Sequence, residues 1–359
     1  MNKLTLIIFW TALSVCSGCG PVQEQESYGR GSLQVEDEIS EEELNSRIES
    51  LELKLSDDPD NWRLRHLLAI YYKRLGTPYS RATAIREIDR AITLNPSAPE
   101  LYMERGRINQ ERKFVGEAEA SFSKALEIDP DNYEAIWQLA SIKKNRYLRS
   151  MCFPDYAAEA ADLFADAVEI DPSGSEAISE LITLNILLER PDAALNYARE
   201  MTSLMGDSPL PHILLGIIHL ERNNLKEAER EFSKSLEIMK PSEREIYQDI
   251  HELLKEDQKE RFATLPDNWK KNYIRNFWID RDPTPATELN ERRLEHYRRV
   301  YLAQYLFRNE ELGFAGPETD RGRSLIKYGM PDKIIIPFDQ GGVESWDASI
   351  IAWNYYREP

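Results

Sequence analysis

Four short runs in the middle of this chain close in the same way, and their spacing restricts the fold more than any other feature. Each is an amphipathic stretch stopped by proline: Ala91-Ile92-Thr93-Leu94-Asn95-Pro96, Ala125-Leu126-Glu127-Ile128-Asp129-Pro130, Ala167-Val168-Glu169-Ile170-Asp171-Pro172 and, more loosely, Leu236-Glu237-Ile238-Met239-Lys240-Pro241. Pro130 follows Pro96 by 34 residues. A unit of that length holds two helices and a turn. It buries its apolar face only by stacking on the next unit. Small residues recur at Ala69, Gly106, Ala140 and Gly216, and an alanine recurs at Ala84, Ala118, Ala160, Ala194 and Ala228. Phe122, Phe164 and Phe232 follow four residues after three of those alanines. Small and large residues at these offsets let antiparallel helices approach closely, and the proline then ends the second helix.

This pattern resembles the tetratricopeptide repeat and covers residues 62–242 as five units. The expected fold is mostly α, a tetratricopeptide-repeat superhelix followed by a small α+β C-terminal domain. The first unit carries three extra residues around Gly76-Thr77-Pro78 and the third about eight around residues 147–156, lengths expected to fall in turns. The fourth unit has Ile182 at the small position and lacks the closing proline, and residues 40–58 read as a capping helix. The resemblance implies a concave groove, lined by the first helix of each pair, that takes a protein or peptide partner. On the repeat register its positions are Met103, Glu104, Arg107, Trp137, Gln138, Lys144, Asn145, Glu180 and Thr183, continuing to Ile213, Leu214 and Ile217. Leu210, Ile213, Leu214, Ile217 and Leu220 would leave an apolar stripe exposed on the last unit. The helix-like stretch 244–262, or the C-terminal domain, is therefore expected to cover it.

The N-terminus resembles a bacterial lipoprotein signal. Lys3 precedes an apolar run from Leu4 to Leu13, too short to span a bilayer comfortably, and small Ser17 and Gly18 stand directly before Cys19. The resemblance implies cleavage of residues 1–18 and acylation of Cys19, with palmitate among the lipids. Cys16 fits worse as the modified residue, because bulky Val15 would sit at the cut. Gly20 rather than Asp follows, so a simple inner-membrane retention signal is absent, and the expectation is an outer-membrane lipoprotein facing the periplasm or the cell surface. Between residues 19 and 60 thirteen acids face three bases, and residues 19–39 read as an acidic disordered tether. The formal net charge of −18 argues against nucleic acid as a partner. With two of three cysteines in the signal, Cys152 has no intramolecular disulfide partner, and it reads as a small apolar residue rather than a nucleophile.

After a connecting helix at residues 243–265, composition shifts: four of the seven tryptophans fall in residues 266–359. A helix is expected from about Thr287 to Phe307, with Leu294, Tyr297, Tyr301 and Tyr305 at helical spacing, and strands at residues 333–338 and 349–356. Ordered boxes here resemble the bacterial GWxTD domain: Trp278 with Arg281-Asp282-Pro283, Gly313-Phe314, Thr319-Asp320-Arg321-Gly322-Arg323, Tyr328-Gly329 and Trp353-Tyr355-Tyr356. Gly313-Phe314 replaces the name-giving Gly-Trp. The resemblance implies an exported protein and no particular reaction. Two strands with one aromatic face are marginal alone, so further strand-forming sequence is expected beyond Pro359.

Two readings of the Gly-flanked loop stay open. Asp320, Arg321 and Arg323 could hold a carboxylate or phosphate as the site of an enzyme. Alternatively Asp320 caps a helix and the arginines pair with Asp280, Asp282 or Glu291. The five histidines lack metal-ligand spacing, no phosphate loop or serine elbow occurs, and nothing calls for a cofactor. An interaction scaffold is the leading expectation.

Overall fold

Wherever the sequence repeats, the chain folds back as a helical hairpin. The computed structural model describes residues 39–308, 313, 315–335 and 352–355. Cys19, the signal, nearly all of the tether, Phe314 and Tyr356 lie outside the described residues. Helix α1 (Glu41–Asp57) turns Leu44, Ile48, Leu51 and Leu55 inward and packs on α2 (Trp62–Arg74). Four more A helices follow: α4 (Pro99–Glu111), α6 (Tyr133–Ser150), α8 (Ser175–Leu187) and α10 (Pro209–Glu221). Their partner B helices are α3 (Pro78–Leu94), α5 (Val115–Ile128), α7 (Pro154–Ile170), α9 (Pro191–Leu204) and α11 (Leu225–Ile238). Each B helix packs on its own A helix, and those of the first four units pack on the next A helix as well, giving the mostly α superhelix of tetratricopeptide type.

Local chemistry explains the boundaries. Asn61 and Asn132 accept the free N–H groups of Leu64 and Ala135, while Pro78, Pro99, Pro154, Pro191 and Pro209 occupy first-turn positions where no N–H is needed. The small-to-large pairs are literal contacts. A Cβ on Gly106 would strike the Phe122 ring, and one on Gly216 would sit 2.9 Å from the Phe232 ring. Phe122 and Phe164 are fully buried.

The extra residues of the first and third units do not lie in turns, contrary to expectation. All five intra-hairpin turns span three residues. Helix α3 has 17 residues against 14 in α5. Helix α6 has 18 against 13 in α4, and α7 has 17, which together absorb the whole insertion of the third unit. Adding helix keeps backbone groups paired, whereas a longer turn would expose them.

Each turn places one residue in the left-handed region: Gly76, Lys113, Met151, Glu189 and Asn223, with φ between 53° and 70°. In the second turn Phe114 N–H reaches Asn109 carbonyl at 2.8 Å and Lys113 N–H reaches Gln110 at 2.9 Å, a helix-ending pair of bonds. Glycine carries no Cβ penalty there. Lys113→Gly and Glu189→Gly should each raise stability by about 0.5–1 kcal/mol, read as a shift of the urea midpoint.

The connecting stretch is broken rather than continuous: α12 (Pro241–Gln248), a 3-10 turn at His251–Leu253 and α13 (Glu256–Ala263). Asp249 Oδ1 accepts the His251 N–H at 2.9 Å, and Ile250 and Leu254 turn inward beside Phe277 and Trp278. Helix α14 (Asp267–Ile279) follows, then α15 (Glu291–Phe307), capped by Asn290, a 3-10 turn at Gly316–Glu318 and α16 (Asp320–Tyr328). Strands β1 (Lys333–Ile335) and β2 (Ala352–Asn354) pair antiparallel, Ile334 opposite Trp353. The composition change near residue 266 does not interrupt the packing. Leu294, Val300, Leu302, Ala303 and Leu325 belong to the same apolar core as Ala160, Ile182, Leu214 and Phe232. Among the described residues no helix is long and apolar enough to cross a membrane.

Candidate partner-binding groove

The A helices place a ladder of polar side chains across the repeats, and most of its rungs are already paired. Glu104 is 3 % exposed, with Lys73 Nζ of the preceding A helix 2.7 Å from one carboxylate oxygen and Arg107 Nη1 3.0 Å from the other. Burial alone would raise the Glu104 carboxyl, but Lys73 and Arg107 hold it below the usual carboxylate value. Arg107 then grips Glu134 of α6 in bidentate fashion, Nε at 3.0 Å and Nη2 at 2.5 Å. Gln110 donates to Gln138 at 2.9 Å, and Lys144 reaches Glu180 of α8 at 2.5 Å. These bonds join successive hairpins. Replacing Glu104 by Gln leaves Lys73 and Arg107 without their shared carboxylate. Because both cations keep some contact with water, the expected loss is about 2 kcal/mol by urea unfolding.

Several positions read as groove-facing are not open. Met103 is buried with Ala118, Phe122, Ala135 and Leu139 in the inter-helix core. Trp137 is half-buried, edge-on to Phe164 at 5.3 Å and stacked over Tyr133. Thr183 has no exposure, because its hydroxyl lies 2.7 Å from that of Tyr301 on α15. Arg107, Gln138, Lys144 and Glu180 are half-buried, and Asn145 is exposed.

For Thr183 and Glu180 the reason is α15, which lies against α10, α11 and α12. Tyr305 donates to Glu180 at 2.6 Å, and burial beside that carboxylate pushes the phenol well above its ordinary value, so it remains the donor. Arg293 reaches Glu229 at 2.8 Å, Arg298 reaches Glu221 at 3.3 Å, and the Tyr297 ring packs 5.5 Å from Phe232. The apolar stripe of the last unit is covered accordingly. Ile213, Leu214 and Ile217 are buried, Leu210 and Leu220 half-buried. Of the groove positions named for the first three units, Asn145 is exposed. Beside α15 a cleft of about 870 Å³ remains between α10 and α12. Tyr247, on that wall, carried no signal in the sequence beyond one aromatic in a polar helix.

The C-terminal boxes hold backbone together. Trp278 is buried and its carbonyl accepts Asn290 Nδ2 at 2.5 Å, while Arg281 lies 3.8 Å over the Phe277 ring. Asp282 accepts Thr284 N–H at 2.9 Å, Pro283 and Gly313 are exposed, and Gly313 has φ +70°. Thr319, not Asp320, caps α16, accepting Gly322 N–H at 3.0 Å. Cβ atoms on Gly316 and Gly322 would collide with the backbone of Ala303 and Gly316 respectively, which fixes those two glycines. Arg323 donates to the Glu318 carbonyl at 2.5 and 3.1 Å rather than pairing with Asp280, Asp282 or Glu291. Asp320 is exposed. Neither it, Arg321 nor Arg323 lines the cleft. Among the described residues no three His, Cys, Asp or Glu side chains gather as a metal site.

The fold is that of a tetratricopeptide array. Among solved structures, the chain is similar to YrrB, described as a TPR protein with an unusual peptide-binding site. They share 17 % identity over 54 % of this chain and 93 % of that one, with a TM-score of 0.45. It is also similar to the MamA protein, at 18 % identity over 49 % and 91 % with a TM-score of 0.41. A third likeness is to a thermophilic TPR protein of Thermus thermophilus, at 20 % identity over 52 % and 95 % with a TM-score of 0.32. No protein-family model matches the sequence, and no curated protein matches it either.

Proposed function

We propose that this protein is a membrane-tethered interaction scaffold of the bacterial cell envelope, its array holding a protein or peptide partner. The observation that carries the reading is the unequal concave surface: among the described residues α15 packs on the A helix of the last unit, while Asn145 on α6 of the third unit is exposed. Cross-hairpin ion pairs hold that surface in one shape, which limits the ordering cost of binding. The lipoprotein-like residues before Cys19 support tethering, and the resemblance to the GWxTD domain supports an exported protein. Placing the photocrosslinker p-benzoylphenylalanine at Asn145, and as a control at Asp166 on the B helix α7, tests the reading in the intact lipoprotein. A discrete adduct from position 145 alone is expected; equal adducts from both positions, or none, would reject it. Mass spectrometry of the mature N-terminus should show acylated Cys19, and an unmodified Cys19 would remove the tether.

A further inference from the structure

Resting on the membrane-tethered reading, we infer that the solvent-facing side of α14 is a contact surface for an anionic lipid bilayer. Two large apolar side chains stand out from this helix, Trp269 at 61 % and Ile279 at 62 % exposure.

Helical geometry puts them on one side. Phe277 and Trp278 are buried, with Tyr273 and Ile274 half-buried beside them, so the opposite face is turned to solvent. At about 100° per residue, Trp269, Asn272, Asn276 and Ile279 fall within an arc of about 80°, spread over about 15 Å of axis. All four are exposed. Exposed Lys271 and Arg275 border that arc on one side. Lys270, its ammonium 5.9 Å from the Phe262 ring centre, borders it on the other. An outward Trp and Ile with long cationic side chains alongside suit a helix lying in the headgroup layer. The indole meets the boundary between acyl chains and water while the cations meet lipid phosphates.

Charge selects the occupant. Helix α14 carries three bases and one acid, Asp267, whose place in the first turn complements the helix dipole. Neither Lys271 nor Arg275 is ion-paired among the described residues. Residues 266–308 hold nine bases against six acids, in a chain that stands at −18. At physiological ionic strength, repulsion from acids elsewhere is screened over about 8 Å, so the charges nearest the headgroups decide. A second copy would present the same cations and be repelled. The tether proposed at Cys19 supplies proximity, which makes a weak contact effectively intramolecular.

The test reconstitutes the intact lipoprotein with vesicles of phosphatidylcholine, with or without phosphatidylglycerol. The photocrosslinker p-benzoylphenylalanine is placed at Asn272, which leaves Trp269 intact, and as a control at Tyr79, 77 % exposed on α3. Lipid adducts are read by mass spectrometry, and melting curves establish folding. With phosphatidylglycerol present, position 272 should label lipid and position 79 should not. In Lys271→Gln/Arg275→Gln the docked-to-undocked ratio read from the adduct should fall about thirtyfold, about fivefold for each cation. Trp269→Ala should lower it as well. Equal labelling from both positions, or none, would overturn the α14 surface and leave the tether standing if the chain floats with the vesicles. Labelling indifferent to phosphatidylglycerol and to the double substitution would overturn the headgroup contact. A chain that labels lipid from position 272 without floating would remove the tether and keep the surface, and neither labelling nor flotation would end both. In intact cells, a discrete protein adduct from position 272 in place of lipid would replace the bilayer by a protein partner.

Discussion

Replacing Tyr301 with alanine is expected to lower the unfolding free energy by roughly 3–5 kcal/mol, the range for removing a large aromatic side chain from a packed core. Tyr301 is 8 % exposed and sits where α15 meets α8. Thr183 keeps its bond to the Ser179 carbonyl at 2.8 Å, so the hydroxyl left behind is not orphaned, and the loss is dominated by the ring. Tyr301→Phe, which deletes only the phenol oxygen, should lose about 1 kcal/mol. The two variants separate packing from hydrogen bonding. Hydrogen exchange supplies a second reading: amides of α10 should lose protection in Tyr301→Ala, because Ile213, Leu214 and Ile217 rely on α15 for cover. If the two variants unfold at the same urea concentration, the ring does not hold α15 in the groove.

Much of this arrangement was legible in the sequence, for identifiable reasons. The pairing of Gly106 with Phe122 and of Gly216 with Phe232 is local in each hairpin, so fixed offsets announce it. The apolar positions on α10 likewise announced a cover, since a stripe of that kind is not left in water. Helix α15 lies on α10, and Ile246 and Tyr247 of the stretch at residues 244–262 pack in the same apolar core. The places where the reading failed depend on distant partners or on backbone without a side-chain signal. Lys113 and Glu189 adopt left-handed turns that their chemistry does not favour; the hairpin imposes them. Glu104 and Thr183 were expected to face the groove, and both are buried against internal partners. Whether they meet a ligand or Lys73 and Tyr301 is decided by the superhelical stacking and by a helix more than a hundred residues away. The linker broke at Asp249 because Ile250 and Leu254 find a core beside Trp278, a contact that periodicity within the linker does not encode.

Acidification should destabilise the folded chain most between pH 6.5 and 4, through histidines buried as neutral rings. His296 is the extreme case. Burial pushes its imidazole down to about 4 from an ordinary 6.5; its Nε2 faces the Tyr247 carbonyl at 3.1 Å and its ring packs on Trp278. The unfolded chain takes up a proton below pH 6.5 that the folded chain refuses until about pH 4. Stability is therefore lost as pH falls through that window and changes no further below it on this group's account. The loss from His296 alone is about 2 kcal/mol by pH 5 and about 3 kcal/mol in full. Burial also lowers His66 and His219, which act in the same direction. Below pH 4.5 the ion-paired carboxylates Glu104, Glu119 and Glu231, held low in the folded state, extend the decline. Glu221 opposes it, because burial raises its carboxyl despite Arg298 and the folded state then binds its proton more readily. Urea unfolding at pH 7 and pH 5 should show the decline. In His296→Gln, whose amide can still donate to Tyr247 but cannot titrate, the difference between the two pH values should shrink by about 2 kcal/mol. An unchanged difference would mean that the folded state accommodates a protonated His296, and the joint between α12 and α15 would have to open to water near pH 6 for that to happen.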